Sequence, residues 1–190
     1  MSHPAKSNPL LWAEIDLGAL RKNLRAIRAT VKNPSTGVLA IVKAEAYGHG
    51  MVPVSRALWK EGVRFFGVAN IDEALSLRKA LPRAPILVLG CFHPSQIPDY
   101  IRARITPTLS TAEDALFLHQ ALKSRKFPVH VKIDTGMGRL GLSPAKVEDF
   151  FRRVALLKSL DVQGVYTHFP APTIRARLRR LSSSGFSTAA

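Results

Sequence analysis

A lysine, an arginine and a histidine each stand where an apolar run gives way to a loop, and these residues are the best suited in the chain to chemistry. Lys43 closes the run VLAIVK and opens KAEAYGHG. Two fates fit a lysine there: a surface side chain snorkelling from a strand end, or a partly desolvated amine whose lowered pKa lets it form a Schiff base with a carbonyl. Tyr47, four residues on, puts a hydroxyl within reach of a phosphate at the same strand end, although a loop tyrosine also serves simply as packing. Gly48 and Gly50 permit a tight turn. Arg139 lies inside a second glycine-rich loop, DTGMGRLG (134–141). Its fixed charge and planar donors suit a carboxylate, a phosphate or a phenolate oxygen, whereas a turn whose arginine faces solvent is the plainer reading. The glycine spacing is not that of a dinucleotide-binding fingerprint, and the helix it leads to starts later, at Ser143. His168, in THF (167–169), ends the last apolar run. A single histidine is more often structural than catalytic, but three strand-end groups facing one mouth are harder to set aside.

These groups need a scaffold, and the chain has its rhythm. After a strand-like WAEIDL, residues Leu17, Leu20, Leu24, Ile27 and Val31 recur three and four apart, one buried stripe on a helix, with Asp16 as its cap. Short apolar runs then alternate with helical patterns: VLAIVK (38–43), FFGVA (65–69), ILVLG (86–90), ITPTLS (105–110), VHVKIDT (129–135) and VQGVYTHF (162–169). That alternation is the signature of repeated βα units. Ser110 with Glu113 reads as a capping box ahead of Ala115, Leu116, Leu118 and Leu122. Ser143-Pro144 reads as N-cap and first helical residue. Strands apolar almost throughout belong to a parallel sheet buried on both faces, either doubly wound or closed as a barrel. One detail favours the barrel: in VHVKIDT a period of two puts His130, Lys132 and Asp134 on one face. Polar groups there need partners, and a barrel mouth at the carboxyl ends of the strands supplies them.

Composition narrows the classes. With 190 residues, 46% of them hydrophobic, the chain can bury a sizeable core and is too apolar for a disordered segment. The single cysteine, Cys91, cannot make an internal disulfide, and its apolar neighbours predict a buried, reduced thiol. The opening lacks the features of a secretory signal, and no run approaches membrane-spanning length, so a cytoplasmic location and no membrane partner are expected. A formal charge of +15 raises nucleic acid as a partner. The basic residues are scattered, however, and their densest group, Arg175, Arg177, Arg179 and Arg180, lacks the interleaved aromatics of a single-strand binder. No nucleic-acid partner is expected.

Taken in order, WAEIDLGALRKNL, VLAIVKAEAYGHG, FFGVANIDEALSLR, PILVLG and VHVKIDTGMGRLG resemble the alanine racemase family, from about Trp12 to Phe169. The resemblance implies a (β/α)8 TIM-type barrel followed by a β-rich domain, with pyridoxal 5'-phosphate at the barrel mouth of a homodimer that interconverts L- and D-alanine for cell-wall supply. In that scheme Lys43 matches the lysine that carries the cofactor and exchanges a proton on one face of the substrate. Tyr47 matches a phosphate contact, and Arg139 the arginine near the cofactor's phenolic oxygen. Lys132 matches an often carbamylated lysine that steadies that arginine, and His168 a histidine stacked on the pyridine ring. The proton donor for the opposite face is, in the family, a tyrosine of the partner's carboxyl-terminal domain.

The chain also departs from the family. Glu45 stands where the family usually has Asn or Asp, a change expected to be tolerated. After Phe169 the family continues with an acidic, polar segment, whereas 170–190 is basic and then serine-rich. A frameshift or damaged gene would produce such a break. The expectation is an incomplete barrel of about six βα units over 12–169, without the carboxyl-terminal β domain and with impaired activity. A broad-specificity amino-acid racemase and a non-catalytic pyridoxal-phosphate-binding fragment are the alternatives.

Overall fold

The computed structural model describes residues 12–33, 35–123 and 125–170. Among these residues six strands, β1 (Leu39–Ile41), β2 (Phe65–Val68), β3 (Ile86–Val88), β4 (Thr108–Leu109), β5 (Phe127–Ile133) and β6 (Leu160–Thr167), alternate with helical segments. All strand pairs are parallel and follow chain order, β1-β2-β3 and β4-β5-β6. The two groups are joined where Thr106 bridges Leu87, with Val88 N–H donating to Thr106 O at 3.0 Å and Thr106 N–H to Ile86 O at 2.9 Å. A doubly wound sheet would reverse its strand order part-way. This one does not, and the architecture is six βα units of a (β/α)8 barrel.

The helices are α1 (Leu17–Thr30), α2 (Lys43–Gly48, a short left-handed turn), α3 (Met51–Lys60), α4 (Ile71–Ala80), α5 (Ile97–Ala103), α6 (Ala112–Leu122) and α7 (Val147–Val154). Each regular helix turns a stripe of three-and-four spacing onto the sheet, as in Ile71, Ala74 and Leu77 of α4 or Ala115, Leu118 and Leu122 of α6. Together with the strand residues Phe66, Ile86, Val129 and Val131 these make one core. No helix among the described residues is long and apolar enough to cross a membrane.

Several sequence expectations shift on contact with the structure. Residues 12–16 form no strand, and the helix that follows starts with Asp16 Oδ1 accepting the amides of Gly18 and Ala19. Ile27 and Leu116, read as buried, are about half exposed, because the stripes of α1 and α6 are narrower than the apolar pattern. The capping box of α6 sits one residue later than expected, on Thr111 and Asp114. Ser110 lies just past β4 and bonds the same Asp114 carboxylate. Pro144 starts a short 3-10 turn (Pro144–Lys146) ahead of α7, and Ser143 makes no side-chain cap. Cys91 is exposed rather than buried, since β3 ends at Val88 and the thiol lies past the strand. From residue 171 on, the basic, serine-rich segment assigned to 170–190 lies outside the described residues.

Candidate active site

The lumen is built from alternate residues of the strands, and its two most polar strands are β5 and β6. His130 projects inward, its ring edge-on to Phe65 at 5.5 Å between centroids and tilted against Tyr166 at 6.5 Å. It has room because Gly164 faces it: a Cβ there would stand 2.5 Å from the imidazole. A bulge at Gln163 shifts the register so that Val129 pairs with Val162 but His130 with Gly164. Burial lowers the pKa of His130, favouring the neutral ring.

One step up β5, Lys132 is only 7% exposed. Its Nζ lies 5.6 Å from the centre of the Tyr166 ring, a cation–π contact. Burial and then the positive charge of Arg139 push its pKa down, with Lys43 adding to the fall and Asp134 and Cys91 opposing it. Among the described residues no carboxylate lies within ion-pair distance of it. The Tyr166 ring that faces it is pinned from below. Thr108 Oγ1 donates its one proton to Val88 O at 2.6 Å, and the Tyr166 hydroxyl has two acceptors in reach, Thr108 Oγ1 at 2.8 Å and Leu89 O at 3.3 Å. Burial raises the Tyr166 pKa.

The loop 134–141 closes on itself. Asp134 N–H donates to Leu142 O and Leu142 N–H to Lys132 O, both at 2.8 Å. Inside that clasp Asp134 Oδ1 accepts the amides of Gly136 and Gly138 at 3.0 Å, and these bonds lower its pKa. Asp134, expected on the lumen face with His130 and Lys132, thus lies past the strand and shapes its own loop. The loop carries Arg139 back over the mouth, where Lys132, Arg139 and His168 line one crevice with Met137 and Leu140. A hydroxyl pair, Thr135 Oγ1 to Thr167 Oγ1 at 2.7 Å, ties this loop to the strand end that bears His168.

On the other side of the mouth Lys43 follows the last rung of β1, in which Val42 N–H donates to Gly67 O at 2.8 Å. The chain then does what the sequence does not announce. Ala44, Glu45, Ala46 and Tyr47 all take left-handed backbone angles, φ 50–57° and ψ 41–53°, a conformation that costs about 1–2 kcal/mol per residue without glycine. It is held by Ala46 N–H to Val42 O (2.9 Å) and Gly50 N–H to Glu45 O (2.7 Å). His49 Nδ1 faces the carbonyls of Ala46 and Tyr47 at 2.9 and 3.1 Å; two acceptors require that this nitrogen carry the proton. Glu45 Oε2 accepts Met51 N–H and so caps α3, the use that this chain makes of a longer acid at that position. The turn sets the Tyr47 ring 5.7 Å from Lys43 Nζ, with Tyr47 itself largely exposed.

The structure therefore gathers Lys132, Arg139 and His168 in one crevice and Lys43 with Tyr47 beside it, Lys43 being near enough for Lys132 to feel its charge. The sequence reading missed Tyr166 and Glu73. Both left signals: Tyr166 shares the period-two face of His168 in VQGVYTHF, and Asn70 with Glu73 has the spacing of a capping box.

The family described as alanine racemase, N-terminal domain, matches residues 15–182. The chain belongs to the alanine racemase family. An alanine racemase of Methylacidiphilum infernorum is 39% identical over 170 residues, 88% of this chain and 43% of the relative. Among solved structures, the alanine racemase of Clostridium difficile 630 is similar with a TM-score of 0.87 and 34% identity, over 95% of this chain and 48% of that one. A histidine racemase from Leuconostoc mesenteroides is similar with a TM-score of 0.80 and 28% identity, over 90% of this chain and 46% of that one. The chain thus spans less than half the length of these alanine racemase relatives and of the histidine racemase. Its strand-end residues Lys43, Lys132, Arg139 and His168 all lie within the part that matches the family.

Proposed function

We propose that this chain carries the Lys43 half of a pyridoxal-phosphate-dependent amino-acid racemase site, with alanine as substrate. The observation that carries the reading is the convergence of one amine, two further cations and an imidazole on a single barrel mouth, at the carboxyl ends of β1, β5 and β6. The donor set fits the cofactor. Lys43 offers an amine for its aldehyde, Tyr47 an exposed hydroxyl for its phosphate, Arg139 planar donors for its phenolate oxygen, and His168 a flat ring for its pyridine. When bound, such a cofactor withdraws electrons from the α-carbon of an attached amino acid, which makes the α-proton removable.

The chain's own residues then have distinct tasks. Lys43 Nζ, as a free amine, takes or returns a proton on one face of the α-carbon. Arg139 cannot release its proton, so it holds an anionic oxygen without competing for the α-proton. Lys132 lies beside it, buried and with its charged form disfavoured by burial and by Arg139, and its assigned task is to steady the arginine. The opposite face needs a second acid–base group, and in a homodimer a partner subunit is the expected source.

The test is addition of pyridoxal phosphate to the purified chain, borohydride reduction and peptide mapping, beside a Lys43→Ala control. Selective modification of Lys43 is the expected result; scattered or absent modification overturns the reading. A second reading, racemisation of a different amino acid, is favoured by the similarity to a histidine racemase. Racemisation of histidine but not alanine by the assembled enzyme would select it.

A further inference from the structure

We infer that Glu73 is the positioning residue for Lys43, a carboxylate that locks the backbone beside the reactive amine. The inference rests on the proposed role of Lys43 and adds a residue to it. Glu73 occupies the third position of α4, behind the N-cap Asn70, whose side chain accepts the Glu73 amide at 3.0 Å. A glutamate there ordinarily reaches back to the N-cap amide. The equivalent residue of α6 does so: Asp114 accepts Thr111 N–H at 3.0 Å and Ser110 N–H at 2.8 Å, all within its own βα connection. Glu73 is diverted. One oxygen accepts Ala69 N–H at 2.8 Å, just past β2, and the other accepts Ala44 N–H at 2.9 Å, just past β1.

The diversion has a structural reason. The parallel ladder between β1 and β2 ends at Val42 N–H to Gly67 O, because the chain turns left-handed at Ala44. The next amide of each strand is left facing a neighbour with no carbonyl to offer, the Ala69 amide part-buried and the Ala44 amide at an exposed turn. One carboxylate satisfies both. Ala44 is the residue after Lys43, so the bond to Glu73 fixes the Lys43–Ala44 peptide plane and begins the left-handed turn that also sets Tyr47. Among the described residues, Glu73 pairs with no cation, which leaves both oxygens to these amides.

The experiment compares Glu73→Gln with Asp114→Asn in the full chain. Glutamine has one acceptor oxygen and turns an N–H donor toward an amide, so it breaks one bond of the pair. The readout is the rate and extent of Lys43 modification by pyridoxal phosphate after borohydride trapping, with the absorbance of the bound cofactor as its spectroscopic signature. Glu73→Gln should slow Lys43 modification roughly tenfold, the change expected from one lost hydrogen bond to a charged group. Asp114→Asn removes a comparable cap and should leave the rate unchanged. Equal rates in wild type and Glu73→Gln, or equal slowing in both variants, overturn the inference. An unmodified Lys43 in the wild-type chain instead removes the functional reading on which it rests. Hydrogen exchange on the wild-type chain decides the matter even where Glu73→Gln does not fold. The Ala44 amide should be protected on the order of a hundredfold although it has no backbone acceptor, and exchange at the free rate overturns the inference.

Discussion

Gly141 holds the loop of Arg139 to the end of β5, and replacing it with alanine is the sharpest test of how that loop is made. Its φ of +129° lies where side-chain-bearing residues are strained by about 1–3 kcal/mol. An added Cβ would stand 2.7 Å from Asp134 N, 2.9 Å from Ile133 C and 3.0 Å from Lys132 O. All three are backbone atoms of the Lys132–Asp134 stretch at the end of β5, so no side-chain tip can swing away. Relief requires opening the two 2.8 Å bonds between Leu142 and the Lys132–Asp134 stretch, each contributing about 0.5–1.5 kcal/mol. The expected loss is therefore about 2–6 kcal/mol, a large part of the 5–15 kcal/mol typical of a folded domain. Gly138 provides the comparison: its φ is +69° and nothing lies within 4 Å of its added Cβ. Gly138→Ala should cost only about 1–2 kcal/mol, the left-handed strain alone. Urea-unfolding midpoints of the two variants measure the difference. If Gly141→Ala proves no more damaging than Gly138→Ala, the clasp is not what holds the loop.

The titrating groups of the lumen make further predictions. Lys132 has a folded pKa below its ordinary 10.5, so between the two values the unfolded chain binds more protons and stability rises with pH. Lys132→Met should raise the melting midpoint at neutral pH, with an advantage that fades toward pH 10.5; an advantage constant across that window argues against a buried cation. His130 has a folded pKa below 6.5, so its contribution is lost as pH falls from 6.5 toward that lower value. His130→Gln should flatten the acid side of the melting profile, and an unaltered slope would assign acid sensitivity elsewhere. The Thr135–Thr167 pair should show a coupling of about 1 kcal/mol in a double-mutant cycle of Thr135→Val and Thr167→Val. Strict additivity would mean that the two hydroxyls do not tie the Arg139 loop to the His168 strand.

The fold was legible in the sequence wherever burial alone decides. The six apolar runs all became strands, shorter or shifted by two or three residues, but burial on both faces holds only for the middle strands: β1 is half-buried, and β6 alternates half-buried with exposed residues. Period two in VHVKIDT placed His130 and Lys132 in the lumen as read. What failed to show was decided by atoms distant in sequence. WAEIDL has the look of a strand but finds no ladder partner. Cys91 sits among apolar residues yet lies past a strand that ends three residues earlier. Above all, nothing in KAEAY forecasts four left-handed residues. Propensity argues against them, and the bonds that stabilise them come from Glu73 and His49 as well as from the turn itself.

The charge of the mouth follows from the same geometry. Lys43, Lys132 and Arg139 are three basic side chains brought together, and Asp134, the carboxylate that opposes the fall in the Lys132 pKa, directs one oxygen to the amides of Gly136 and Gly138. Asp134 therefore shapes the loop more than it neutralises the site. Lys132 bears the consequence, since burial and Arg139 both disfavour its charged form. An anionic ligand reverses that second effect by adding negative charge between the cations, so that ligand binding and protonation of Lys132 favour each other by linkage. By that linkage an anionic ligand placed between these cations is expected to bind more tightly as pH falls through the Lys132 titration.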